Sequence, residues 1–170
     1  MNMERLDFVH LHLHSEYSLS DGIIRINELV SRASSLEYSA VGLTDVTNLF
    51  GLLEFYRSSR EKGIKPIVGA EVNVIKDKDS LSAPIVLLVK DKQGYINLTK
   101  IVSKAYIDGQ VNGQPMVELS LLQDYSEGLI ALSGGIEGHV GQSILSGNIA
   151  LTESRINFFK TIQAYIRIIS

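Results

Sequence analysis

The chain contains no cysteine. That absence removes disulfides, thiolate metal ligands and a cysteine nucleophile together. A basic excess is missing too: 16 Lys and Arg stand against 19 Asp and Glu, a net charge of −3. Holding a nucleic-acid backbone through bulk positive charge is thereby excluded. Long apolar runs are also lacking. The longest aliphatic stretch, Ile85 to Val89, falls far short of the roughly 20 residues that span a bilayer. The opening Met1-Asn2-Met3-Glu4-Arg5 has no apolar signal-peptide stretch, so a soluble cytoplasmic protein is expected. No repeat, low-complexity tract or linker interrupts the sequence, and nothing resembles a nucleophile elbow.

What is present has a globular balance, with 45% hydrophobic and 21% charged residues among 170. A chain of this length can bury roughly 70% of its unfolded surface. A single domain over residues 1–170 is expected, as an N-terminal piece of something longer. The apolar stretch Ile162 to Ser170, which stops without a closing turn, suggests such a truncation.

Strand-like and helix-like segments alternate. Phe8 to Leu13 alternates with period two, and Ile26 to Leu36 places Ile26, Leu29, Val30, Ala33 and Leu36 at helical spacing. Ala40 to Leu43 reads as a short buried strand. Asn48 is expected to cap a helix with Leu49, Leu52, Leu53 and Tyr56 on one face, ended by Gly63. Pro66 opens a strand to about Val74, and Ile85 to Val89 forms another. A helix follows on Tyr95, Leu98, Ile101, Val102 and Ala105, with Tyr95 in the core. Beyond a loop at Asp108 to Pro115, Leu129 to Leu132 is the last strand. Helical turns at Val140 to Leu145 and from Thr152 onward complete the pattern. Such units predict an α/β fold with mainly parallel strands, too few to close an eight-stranded barrel.

Three of the four histidines fall within five residues, His10-Leu11-His12-Leu13-His14. On a regular strand all three share one face, neighbours roughly 7 Å apart, within reach of one ion or a small cluster. Hydrolytic metal clusters need carboxylates as well, because hard ions prefer oxygen. Asp21 at a turn, Asp45 just past a strand and Glu71 within one are the candidates. Each acid alone has an ordinary structural use; together with the histidines they suggest a metal site. Weaker features remain structural. The Gly-rich stretch Ser133 to Gly141 lacks a P-loop ending and reads as a plain strand-to-helix connection, with His139 on the surface. Lys62, Lys65, Lys76, Lys78, Lys90 and Lys92 read as solvated surface.

The ordered motifs resemble a known family. They run from Phe8-Val9-His10-Leu11-His12-Leu13-His14-Ser15-Glu16-Tyr17-Ser18 and Asp21-Gly22 to Leu43-Thr44-Asp45 and Asn48-Leu49-Phe50-Gly51. Gly63 to Glu71, Gly94 to Leu98, Ser103 to Tyr106 and Gly128 to Gly134 continue the series. Over residues 6–150 this resembles the polymerase-and-histidinol-phosphatase (PHP) domain at the N-terminus of bacterial DNA polymerase III alpha subunits. The resemblance implies a partial, distorted seven-unit β/α barrel. Complete members bind two or three metal ions and hydrolyse phosphoesters. Within that pattern, His12, His14, Asp21 and Glu71 match metal ligands.

The departures count. Metal-binding members have Thr-Asp-His-Gly where this chain has Thr44-Asp45-Val46-Thr47, and no histidine stands near Pro84. The resemblance therefore implies a vestigial site that catalyses nothing itself, taking zinc or manganese if any ion. Its role is then a scaffold in DNA replication, contacting the proofreading exonuclease subunit, other polymerase III subunits and the rest of an alpha subunit. DNA contact and the magnesium-dependent nucleotidyl transfer belong to the longer protein. The alternative is a working metal-dependent phosphoesterase or 3′–5′ exonuclease.

Overall fold

The computed structural model describes residues 8–19, 21–76 and 81–161. Ile162 to Ser170 and Lys78, considered above, lie outside the described residues. The chain divides into two compact units, Met1–Val68 and Gly69–Ser170.

In the first unit, helix α1 (Ile26–Ser35) buries Ile26, Leu29, Val30 and Ala33, the expected stripe. Strand β1 (Ala40–Leu43) is buried throughout. Helix α2 (Leu52–Glu61) then crosses to strand β2 (Lys65–Ile75), whose first residues pair in parallel with β1, from Ala40↔Lys65 to Leu43↔Val68. A parallel neighbour requires such a crossover. The core gathers Ile26, Leu29, Val30, Ala33, Val41, Leu43, Phe55 and Ile64.

The expected inner face of α2 is corrected. Leu53 and Tyr56 are exposed, whereas Phe55, Ser58 and Ser59 are buried. Asn48 does not cap this helix. Its Oδ1 accepts from the Phe50 N–H at 3.1 Å, and its Nδ2 donates to the carbonyls of Tyr17 and Val46. This anchored turn delays the helix start to Leu52 and rotates its faces, and Gly51 becomes the N-cap. Gly63, at φ +71°, ends the helix as expected.

In the second unit, the remainder of β2 pairs antiparallel with β3 (Ala83–Val89), from Gly69↔Leu88 to Val74↔Ala83. Helix α3 (Lys92–Ile107) begins at Asp91, whose carboxylate accepts from the Gly94 N–H at 3.0 Å. It buries Leu98, Ile101 and Ala105 but leaves Tyr95 exposed, correcting the core placement of that ring. The expected loop after α3 holds a small hairpin, β4 (Gln110–Val111) and β5 (Gln114–Pro115). Its turn residues Asn112 and Gly113 both have positive φ, the requirement of a tight type I′ turn.

Strand β6 (Val117–Glu118) pairs in parallel with the end of β2. Helix α4 (Leu119–Asp124) follows, then β7 (Leu129–Leu132), antiparallel to β3. Helices α5 (His139–Leu145) and α6 (Ile149–Thr161) pack on each other. The expectation of mainly parallel strands therefore fails in this unit. Residues 76–82 alone join β2 to β3, too short a link for a crossover, so the pair forms antiparallel. Among the described residues, no helix is long and apolar enough to cross a membrane.

His139 is buried rather than superficial, and its Nε2 lies 3.1 Å from the Val74 carbonyl. The Arg155 guanidinium donates to the His139 carbonyl. Burial, followed by the charge of Arg155, holds the imidazole below the ordinary 6.5, while the Val74 bond opposes the shift. The neutral form is favoured in the fold, so the unfolded chain binds more protons between the lowered value and about 6.5. Stability is expected to be full above pH 6.5 and to fall as pH drops through the lowered folded value. Urea midpoints measured across that window should show this decline, and His139→Gln should reduce it. The Gly-rich turn before α5 is a packing device: a Cβ on Gly138 would sit 1.7 Å from the Ser133 carbonyl oxygen.

Candidate metal centre

The segment preceding α1 runs alongside β1 without forming a regular strand. The Gly42 N–H donates to the His10 carbonyl and the Thr44 N–H to the Leu13 carbonyl. Three residue steps on one side thus match two on the other, leaving one extra residue as in a β-bulge. The Leu13 N–H is taken by Thr44 Oγ1 at 2.9 Å instead of a backbone carbonyl. Side-chain facing changes parity at such an insertion, which corrects the expectation that all three histidines share one face. His10 packs edge-on against Phe8 at 4.7 Å between centroids and also against Tyr38. His12 and His14 remain together, their Nε2 atoms 3.2 Å apart.

A tight turn brings Asp21 to them. Ser15 starts a 3₁₀ turn (Glu16–Ser18), with its Oγ accepting from the Tyr17 N–H. Leu19 then reverses the chain at φ +57°, a conformation uncommon for a side-chain-bearing residue. Gly22 packs against the Ser15 backbone, where a Cβ would lie 1.9 Å from the carbonyl oxygen. Asp21 Oδ2 ends 2.9 Å from His14 Nδ1, with the His14 side chain 13% and the Asp21 side chain 67% exposed.

Asp45 has a different place from the one expected. It is 2% exposed and points into the protein. Its Oδ1 accepts from the Ser15 N–H at 2.6 Å and from Ser18 Oγ at 2.7 Å, and its Oδ2 accepts from Ser15 Oγ at 2.8 Å. The carboxylate therefore clamps the turn that follows His14. The sequence signal for this was the Ser15-x-x-Ser18 spacing, which places two hydroxyls on one side of a single turn. Val46 follows, half-buried, and its N–H donates to Ser18 Oγ at 3.1 Å. Thr47 sits at φ +47°, with its buried hydroxyl lacking a partner. That backbone conformation suits the glycine of Thr-Asp-His-Gly better than a β-branched residue.

Glu71 lies in the second unit, half-buried on β2 opposite Val86. Within the first unit the structure brings together His12, His14 and Asp21, around a pocket of about 300 Å³ also lined by Leu13, Gly22 and Ile23. A water molecule takes roughly 30 Å³, so a hydrated ion has room. The donor set fits one. Two nitrogens bound at about 2.05 Å to a tetrahedral ion stand about 3.3 Å apart, close to the 3.2 Å found. Neutral imidazole nitrogens suit zinc and other transition metals. Val46 offers no donor where the resembled motif has histidine, so a multi-ion cluster loses one of its ligands.

Comparison with known proteins agrees with this arrangement. The PHP domain family matches residues 10–169. The DNA polymerase III subunit alpha of Vibrio cholerae is 41% identical over 156 residues, which are 91% of this chain and 13% of that protein. Its Escherichia coli K12 counterpart is 44% identical over 155 residues, 90% of this chain and 13% of that protein. The chain thus spans about an eighth of the length of these relatives. Among solved structures, a Bifidobacterium adolescentis protein assigned as a metal-dependent phosphoesterase superposes with a TM-score of 0.55. The match covers 93% of this chain and 85% of that one at 12% identity, a likeness of fold. This chain, with its histidine pair on an α/β framework, belongs to the PHP domain family.

Proposed function

We propose that this chain acts as the PHP region of a DNA polymerase III alpha subunit, a scaffold in bacterial DNA replication without catalysis of its own. Its partners are the remainder of such a subunit and other polymerase III subunits, the proofreading exonuclease subunit among them. Contact with DNA and magnesium-dependent nucleotidyl transfer belong to the longer protein. Val46 carries this reading, as an apolar side chain standing at a ligand position of the metal-binding members. His12 and His14 still fit one zinc or manganese ion, and Glu71 joins the proposed ligands through the family resemblance.

An ion held there would polarise a phosphoryl oxygen and lower the pKa of a bound water. The chain supplies no second fixed position to stabilise both attacking and leaving oxygens. That loss separates a remnant from a two-metal phosphoesterase. The test is hydrolysis of a nitrophenyl phosphodiester and of 3′-labelled single-stranded DNA, with zinc or manganese added. No turnover above the metal-only blank is expected. Turnover abolished by His12→Ala would instead establish a working phosphoesterase or 3′–5′ exonuclease.

A further inference from the structure

We propose that Asp21 is a positioning residue for His14, fixing its tautomer and ring orientation, and not a ligand of the ion shared by His12 and His14. The inference rests on the reading above that this histidine pair retains a metal position. Its geometric basis is the 2.9 Å contact between Asp21 Oδ2 and His14 Nδ1. An ionised carboxylate only accepts, so a neutral His14 must carry its proton on Nδ1. Its Nε2 is then an unprotonated lone pair, turned toward the Nε2 of His12, 3.2 Å away. The two nitrogens of an imidazole point to different sides of the ring. The carboxylate oxygen engaged at Nδ1 is therefore on the far side of His14 from an ion at Nε2. A carboxylate that binds the outer nitrogen of a metal-ligating histidine raises its basicity and holds its orientation.

The local chain supports the role. Leu19 at positive φ and Gly22 against Ser15 together fold the turn back and carry Asp21 alongside His14. The Asp45 clamp on Ser15 and Ser18 holds the base of the same turn. Asp21 itself is 67% exposed in its side chain, so replacing it leaves the buried clamp intact.

The experiment uses the full 170-residue chain, first stripped of metal by a chelator and held at about pH 8, above the ordinary histidine value. Long-range proton–nitrogen NMR spectra distinguish the two imidazole tautomers, and the His14 signals are identified by their loss in His14→Ala. Wild-type His14 is expected as the Nδ1–H form. Asp21→Asn, whose side-chain oxygen still accepts, should keep that form, and Asp21→Ala should release it toward Nε2–H. Zinc titration by calorimetry follows on the same proteins. Affinity should fall about 10- to 100-fold in Asp21→Ala, stay within a few-fold in Asp21→Asn, and vanish in His14→Ala. Cobalt substituted for zinc should give the same visible spectrum in wild type and Asp21→Asn.

An Nε2–H His14 in the wild type, or a tautomer indifferent to Asp21→Ala, overturns the proposal. So does a cobalt spectrum altered by Asp21→Asn, which would place Asp21 on the ion. Should none of the proteins bind zinc, the metal reading fails by itself. The tautomer result still decides the role of Asp21, upheld if Asp21→Ala releases the Nδ1–H form and refuted if it does not.

Discussion

Asp45→Ala is expected to lower the stability of the chain by about 4 kcal/mol, measured from urea unfolding midpoints. The carboxylate accepts three short hydrogen bonds, from the Ser15 N–H, Ser15 Oγ and Ser18 Oγ. Bonds to a charged acceptor contribute roughly 1.5–3 kcal/mol each, less than additively when they share one group. Removing the acceptor leaves the Ser15 N–H and two hydroxyls inside the protein, where Ser15 is fully buried. Asp45→Asn keeps the shape but turns one acceptor into a donor facing other donors. It should cost about 2 kcal/mol. Both variants should also disorder the turn behind His14, and weaken the His12–His14 pairing with it. An Asp45→Ala protein within 1 kcal/mol of wild type would show that the clamp contributes little.

Gly94→Ala is the second large effect, with a loss of about 3 kcal/mol expected in the same urea measurement. Helix propensity alone predicts a gain of about 1 kcal/mol for this exchange, so the sign separates the two effects. A Cβ on Gly94 would lie 1.8 Å from the Gly128 carbonyl oxygen and 2.5 Å from its carbon. Backbone cannot swing aside as a flexible side chain can. The loop is held on both sides, as the Lys90 N–H donates to the Gly128 carbonyl and Asn97 Nδ2 to that of Glu127. Gly128 is itself at φ +74° with little freedom to adjust. A variant as stable as the parent would mean that α3 and this loop do not meet so closely.

Much of the fold was legible because local periodicity reports local burial. The stripe Ile26, Leu29, Val30, Ala33 became the inner face of α1, and the four-residue runs at Ala40 and Leu129 became buried or half-buried strands. The expected buried face of α2 failed because Asn48 is anchored by Tyr17, a residue 31 positions earlier. The β4–β5 hairpin was legible and passed over, since Asn112-Gly113 is a strong short-range turn signal. Strand direction was misjudged where the link between β2 and β3 carries no helix, a feature that the sequence did display.

Residue type and spacing alone determined that this chain could hold an ion, and through which side chains. Histidines two apart face together over any short extended stretch, and the ordered motifs around them already pointed to the PHP family. Tertiary structure alone decided how those groups divide the work. The bulge beside β1 separates His10 from its neighbours, because hydrogen-bond register depends on the partner strand. Asp45 faces inward because two serine hydroxyls and a buried N–H need an acceptor there. Asp21 reaches the outer nitrogen of His14 because a reversal at Leu19 carries it back. Each of these depends on groups brought together by backbone path, which one-dimensional spacing does not encode.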